Sequence, residues 1–279
     1  MTDSSSSDSA RGELPGITDP LEVDVLKGLL ATRTLGRNLR VEAQTASTND
    51  IAKQLAQDGA PDGTVVLADQ QVRGRGRQGR SFASPAGVGI YMSLLLRPQV
   101  EISHLPQLTL VAGAAAAEAI EEVSALPVKL KWPNDIMIDR RKAGGILTES
   151  IIQADQSPVA IVGIGINVNT TLEQFPAELR GQVTSLALAA GRFVPRLPTV
   201  AAILGHFEPL YDTFQQSGLA PILPRWLRYG RVAGKPVRCT TERGVEEGVA
   251  LGLDEDGALL VRSRESQRLR VFSGEVVFL

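Results

Sequence analysis

The sequence contains a single cysteine, Cys239, so it forms no intramolecular disulfide and offers no thiolate cluster to zinc. Cys239 reads as a small, half-buried strand residue. Histidine is scarce as well: His104 and His206 fall at helix-like positions without partners, and both read as structural or surface residues. No apolar run reaches the roughly 18 residues of a transmembrane helix. The amino terminus is rich in Ser and Asp and lacks the basic start and apolar centre of a secretion signal. A disordered tail over residues 1–18 and a cytoplasmic protein are expected, without membrane attachment. Charge of one sign is missing too. The 29 basic and 31 acidic residues give a formal net charge of −2, so the surface as a whole does not attract nucleic acid. Any anion site has to come from local clustering.

With 279 residues, 43% of them apolar, the chain can hold one large domain and one small one. Residues 19–30 place Leu21, Val25, Leu26, Leu29 and Leu30 on one side of a helix. A short strand is expected near 39–42. Ser47-Thr48-Asn49-Asp50 looks like a helix start running to about residue 58, with Ser47 as cap and Asp50 in the place of a capping-box glutamate. Strands are expected at 64–68 and 89–96, an Ala-rich helix over 106–123, and short strands at 128–132 and 136–138 about Pro133-Asn134. Longer neighbouring strands at 145–153 and 159–167 and helices at 199–216 and 220–229 follow. This is an α+β arrangement over residues 19–230, a mixed sheet with helices packed on it. Short apolar runs then recur through residues 231–279 in the cadence of a small β-barrel. There is no internal repeat and no metal-ligand spacing.

Arg73, Arg75, Arg77 and Arg80 lie within eight residues, interleaved with Gly74, Gly76 and Gly79. Such a segment does not bury itself without counter-charge. Alternating glycines let the backbone approach a ligand and turn its N–H groups inward, and arginine forks suit carboxylate and phosphate oxygens. At an effective dielectric near 20, a cation about 4 Å from a phosphate gains roughly 4 kcal/mol of raw attraction before desolvation. The segment reads as a loop, mobile when empty, that an anionic ligand orders. The alternative is a solvated basic loop or an RNA-contacting Arg-Gly segment, but those runs are long and repeated, and this one is short and set between apolar strands.

The second chemical cluster is Lys131-Trp132-Pro133-Asn134-Asp135, followed by Lys142 and Gly144-Gly145. A plain turn explains Pro133, Asn134 and Asp135 but not the flanking lysines. Asp135 suits Mg²⁺, which takes one or two carboxylates plus phosphate oxygens. Lys142 suits a carboxylate and a phosphate on which charge builds. Gly163-Ile164-Gly165-Ile166-Asn167 is a third element, where glycines two apart in a strand mark close approach by a ligand or another backbone. It is not a dinucleotide fingerprint, since no helix with a third glycine follows.

In order, Ser47-Thr48-Asn49, Asp69-Gln70-Gln71 running on to Arg80, Ser84-Pro85, the Lys131 to Asp135 segment, Arg141-Lys142 with Gly145-Ile146-Leu147, and Gly163 to Asn167 resemble the biotin protein ligase family. Ser273-Gly274-Glu275-Val276 resembles the end of that family's C-terminal barrel. The resemblance spans about residues 35–279 and implies a mixed-sheet catalytic domain of the biotin/lipoate ligase type followed by an SH3-like barrel. It implies ATP and Mg²⁺ as cofactors, biotin as substrate, an acyl-adenylate intermediate (biotinyl-5′-AMP), and transfer to a lysine of the biotin carrier domain of a carboxylase.

Carried over by position, the resemblance puts Ser47, Thr48, Asn49 and Gln71 in the biotin pocket. Gly74, Arg75, Gly76 and Arg77 would hold biotin and the adenylate, and Gly145 and Gly163 would leave room for the biotin ring. Lys142 and Arg77 would be catalytic, with Lys142 on the biotin carboxylate and the phosphate. Arg77, Arg80, Phe82, Lys131, Asn134, Asp135 and Asn167 would face the nucleotide, with Asp135 on the metal. Some members carry an N-terminal winged helix-turn-helix. About 35 residues precede the matching region here, so a ligase without specific DNA binding, as a monomer or weak homodimer, is expected. The rival readings are a lipoate or octanoate ligase or transferase of the same superfamily, and a biotin-binding regulator without chemistry. Lys142 and Asp135 argue against the regulator.

Overall fold

The computed structural model describes residues 19–153, 157–241, 244–272 and 275–279. The tail expected over 1–18 and the Ser273-Gly274 pair lie outside the described residues. The chain enters on a short helix, α1 (Val23–Leu29), then forms β1 (Leu39–Thr45), α2 (Thr48–Gln57), β2 (Thr64–Gln71) and β3 (Gly89–Leu96). Next come the Ala-rich α3 (Leu108–Ser124), two short strands, β4 (Lys129–Lys131) and β5 (Asp135–Ile138), and two long ones, β6 (Arg141–Ile152) and β7 (Pro158–Asn167). Three helices follow, α4 (Leu186–Ala190), α5 (Arg196–Ser217) and α6 (Leu223–Tyr229). The chain ends on β8 (Pro236–Thr241), β9 (Gly244–Leu253), β10 (Leu259–Ser263), β11 (Arg268–Val271) and β12 (Glu275–Phe278).

The first seven strands make one mixed sheet in the order β1-β2-β3-β7-β6-β5-β4, parallel at β1–β2 and antiparallel elsewhere. Side chains alternate between the two faces of a strand, so the register assigns each residue to a side. Ile90, Met92 and Leu94 of β3, Val162, Ile164 and Ile166 of β7, and Ile146 of β6 belong to the main core with α3 and α5. α3 is buried along nearly its whole length, and its run of alanines lets it lie close between sheet and α5. On the opposite face, α2 covers one end through Ala52 and Ala56 against Val66, Leu95, Val159 and Ile161. The rest of that face presents Tyr91, Ser93, Gly163, Gly165, Gly145 and Leu147, a floor with glycine at its centre.

The last five strands form an antiparallel sheet, β11-β10-β9-β8-β12, of the SH3-like kind. Cys239 is buried in β8 with Val237, Val261 and Val276. This sheet is fastened to the larger one at the turn after β4, where the Trp132 indole N–H donates to Gly257 O at 3.0 Å. Gly257 takes a φ of +79°, and a side chain there would strike Leu110 and Leu219. Among the described residues no helix is long and apolar enough to cross a membrane.

Several local expectations are corrected. The first helix begins at Val23 rather than residue 19, because Asp19 serves α5 instead: its carboxylate accepts the Arg196 backbone N–H at 2.7 Å. The Arg196 guanidinium, 1% exposed, reaches Asp69 at 2.8 Å and Gly89 O at 3.2 Å and tethers residue 19 to the sheet. The Ala-rich helix starts after a 3₁₀ segment, Ile102–Gln107. The short α4, capped by Ser185 Oγ, was not expected. His206 does have partners, Glu122 at 2.7 Å and Glu118 at 3.3 Å.

The Trp132 contact yields a stability test. Trp132→Phe keeps the apolar bulk of a side chain that is 2% exposed but strands the buried Gly257 carbonyl, an expected loss of about 1–3 kcal/mol in urea unfolding. An unchanged unfolding free energy would mean that the two sheets do not depend on this bond.

Candidate functional site

The glycine-centred floor opens into a cavity of about 550 Å³. Its walls are the start of α2, the loop after β2, the turn between β4 and β5, residues 175–183 and the β12 strand. Every residue assigned from the sequence to biotin, the nucleotide or the metal lines this cavity except Gly74. A Cβ at Gly74 would collide with the Phe82 carbonyl and the Ser84 hydroxyl, so that glycine lets two backbone stretches meet.

One wall is a chain of polar groups. Ser93 Oγ donates to Asn49 Oδ1 at 2.6 Å and lies 2.7 Å from Thr48 Oγ1. The Thr48 N–H donates to Gln71 Oε1 at 2.8 Å, Gln71 Nε2 donates to Ser84 Oγ at 3.1 Å, and Ser84 Oγ donates to Phe82 O at 3.0 Å. At its other end Asn49 Nδ2 donates to Glu149 Oε2 at 2.7 Å, and Lys53 Nζ meets Glu149 Oε1 at 2.7 Å. A carboxylate accepts and cannot donate, so Glu149 fixes which way the Asn49 amide points. Burial alone would raise the Glu149 carboxyl. Hydrogen bonds from Lys53 and Asn49 and the charges of Lys53 and Arg75 outweigh that and hold it below the ordinary glutamate range. Ser47 makes no side-chain capping bond and Asp50 does not reach back, which corrects the capping-box expectation. Asp50 is drawn instead to Arg75, at 2.6 Å.

The Gly-Arg loop is folded on itself. The Gly76 N–H donates to Arg80 O at 2.7 Å and the Phe82 N–H to Gly74 O at 2.9 Å, with a left-handed Gln78 at φ +56° in the bend. Arg75 finds its counter-charge inside the protein, on Asp50 at 2.6 Å and Glu149 at 3.0 Å. Arg77 is half-buried with its guanidinium 3.4 Å from Asn134 Oδ1. Burial lowers its pKa from the ordinary arginine value, Asp135 opposes this and Arg80 adds to it. The Phe82 ring lies over Gly165, 2.8 Å from where a Cβ would stand, and meets Tyr91 edge-on at 6.4 Å. The Gly163 gap is filled by the Asn49 amide, 2.5 Å from a Cβ placed there. The two strand glycines thus accommodate side chains of the protein itself.

Lys131 stands opposite Asp135 across the β4–β5 pair, and the connection contains a cis Trp132–Pro133 bond. Asn134 is committed to the neighbouring strand: its Nδ2 donates to Ile146 O at 3.0 Å and its carbonyl accepts the Ile146 N–H at 3.0 Å. Asn167 is likewise engaged, donating to Thr184 O at 3.0 Å. The Lys142 ammonium pairs with Asp135 Oδ1 at 2.6 Å and lies across Gly145, 3.3 Å from the position of a Cβ. The Lys142 backbone is held from outside by residues 182–184, its N–H donating to Gln182 O at 2.8 Å and its carbonyl accepting from Thr184 N at 2.9 Å.

Among the described residues lining the cavity, Arg75, Arg77, Arg80, Lys131, Arg140 and Lys142 face a single carboxylate, Asp135. Such an excess suits a ligand carrying several negative charges. No group of three or more His, Cys, Asp or Glu side chains able to hold a metal occurs among the described residues. Ser93, Glu149, Lys53 and Arg140 were missed from the sequence. A lone serine or glutamate in a strand carries no motif, and only the pairing of β3, β7 and β6 brings Ser93 and Glu149 under α2.

Residues 41–169 match the biotin/lipoate A/B protein ligase family, and residues 232–279 match the biotin protein ligase C-terminal domain. The chain is 40% identical over 247 residues to the bifunctional ligase/repressor BirA of Bacillus subtilis, covering 88% of this chain and 76% of that one. It is 37% identical over 250 residues to a biotin–[acetyl-CoA-carboxylase] ligase of Mycobacterium tuberculosis, covering 87% of this chain and 90% of that one. The structure of the Aquifex aeolicus biotin protein ligase in complex with biotin and ATP superposes with a TM-score of 0.74 at 29% identity, over 87% of this chain and all of that one. The chain belongs to the biotin protein ligase family.

Glu149 sets a pH test. Its folded carboxyl titrates below the ordinary value, so its stabilisation is complete above that value and fades as pH falls through the lowered one. Glu149→Gln should lower the unfolding free energy by roughly 1–3 kcal/mol near pH 6.5, and by much less at a pH below the lowered carboxyl value. The same gap at both pH values would sink the assignment of charge to that site.

Proposed function

We propose that the protein is an ATP-dependent, AMP-forming biotin protein ligase. The observation that carries this reading is the Lys142–Asp135 pair on a glycine floor, at 2.6 Å, between a polar pocket and a cluster of cations. Biotin is a long acid with a polar, hydrogen-bonding head. The Thr48, Asn49 and Gln71 groups fit that head, with Ser93 behind them, and Leu147 fits its apolar body. Its carboxylate then ends near Lys142, where ATP enters from the side of Arg77, Arg80 and Lys131.

In the first step a biotin carboxylate oxygen attacks the α-phosphorus. The bond to the bridging oxygen breaks, and pyrophosphate leaves with that electron pair. Two anions have to meet, so the cations act both on binding and on the charge that grows in the transition state. Lys142 swings from Asp135 to the oxygens at the reacting centre. Asp135 would be the residue to hold Mg²⁺, an ion that suits a site with one carboxylate beside phosphates. When bound, that ion would neutralise phosphate charge. Phe82 shifts off Gly165 and lies against the adenine. The Gly-Arg loop shields biotinyl-5′-AMP from water until the amine of an acceptor lysine attacks its carbonyl carbon. AMP leaves and the amine loses a proton. The acceptor in this reading is the biotin carrier domain of a carboxylase, met in the cytoplasm.

Purified protein with Mg²⁺ and ATP should exchange labelled pyrophosphate into ATP when biotin is present, and not with lipoate or octanoate. Exchange driven by either of those acids would transfer the protein to the sister activity of its superfamily. Lys142→Ala should slow biotin-dependent exchange by about 10²-fold or more with folding intact. Turnover near that of the parent protein would take Lys142 out of the mechanism.

A further inference from the structure

β5 and β6 are joined by two residues, Asp139 and Arg140, with φ of +47° and +64°. Two positive φ values define a primed hairpin turn, in which Gly, Asn and Asp are the favoured residues. Asp139 belongs to that set. Arg140 does not: a long L side chain in the left-handed region is an uncommon choice at a position where glycine relaxes the backbone. Strain of this kind, where it persists, points to what the side chain does.

Arg140 is exposed and lines the same cavity as Lys142 and Lys131. Its neighbours in that wall are partnered, Lys142 by Asp135 and Arg75 by Asp50 and Glu149. Among the described residues no hydrogen bond or ion pair holds the Arg140 guanidinium. An uncompensated cation beside five others adds repulsion and nothing else until an anion arrives. Two residues along the hairpin separate it from Lys142, about 7 Å at the rise of a strand. If Lys142 stands at the α-phosphate, the phosphates beyond it fall within the reach of an arginine.

We propose that Arg140 binds the terminal phosphates of the nucleotide, and holds them as pyrophosphate after they leave. The assignment rests on the ATP-dependent reading above for the identity of the nucleotide, and on the turn geometry and the empty guanidinium for the phosphate contact itself. Arginine suits this place because its fork meets two phosphate oxygens at once.

The test uses the full chain and Arg140→Gly, with Arg140→Lys as the conservative variant. Glycine removes the side chain and also relieves the left-handed strain, so Arg140→Gly should unfold at the same temperature as the parent or higher. In the exchange assay its KM for ATP should rise about tenfold while its KM for biotin stays put, with Arg140→Lys between the two. Calorimetry with inorganic tripolyphosphate, which needs no turnover, should show about tenfold weaker binding to Arg140→Gly and unchanged binding of AMP. Arg140-dependent tripolyphosphate binding without biotin-dependent exchange would sustain the phosphate site and remove the ligase reading. Unaltered ATP KM and unaltered tripolyphosphate affinity in a folded Arg140→Gly protein would overturn the proposal.

Discussion

The Glu149 carboxylate joins three stretches of chain that share no local sequence. It receives Asn49 and Lys53 from α2 and Arg75 from the Gly-Arg loop, and it stands on β6. Because it can only accept, it turns the Asn49 amide oxygen toward the Ser93 hydroxyl, which meets Thr48; the Thr48 backbone N–H in turn orients the Gln71 amide, which donates to Ser84. A pocket built this way is set before any ligand enters, and a polar guest meets donors and acceptors already aimed.

The electrostatics of the site are local. A chain with formal net charge −2 concentrates six cations around one cavity and spends its acidic residues elsewhere. Some of those acids are structural: Glu208 accepts the backbone N–H groups of Arg33, Thr34 and Leu35 at 2.7 to 2.9 Å and so ties the segment before β1 to α5. Asp19 and Asp69 do the same for the buried Arg196. Separating acids that organise the backbone from bases that face the cavity leaves the cavity short of negative charge, which is the condition an anionic ligand relieves.

Much of this was legible in the chain. Residues 89–96 are apolar but for Ser93, every one of them is buried in β3, and the structure has the strand at the expected limits. The alanines of α3 and the recurring short runs after Gly230 announced a buried helix and a small antiparallel sheet. The Gly-Arg and Lys-Trp-Pro-Asn-Asp segments announced their cavity because chemistry-bearing residues are contiguous there. What stayed hidden is what distant segments make jointly. Arg196 reads as a surface arginine until Asp19, Asp69 and Gly89 O surround it. Asn134 and Asn167 read as ligand groups, yet their amides donate to the backbone at Ile146 and Thr184. Gly163 and Gly165 promised space, and the Asn49 and Phe82 side chains occupy it.

The chain has two tryptophans, and their settings differ. Trp226 is sealed among α3 and the glycines at 113 and 230, far into the core. Trp132 stands in the cavity wall and gives its indole proton to the smaller sheet. Ultraviolet excitation therefore addresses one emitter that is constant and one whose surroundings change with the cavity's contents and with the seating of the C-terminal sheet, so the molecule carries its own optical gauge of occupancy with an internal reference.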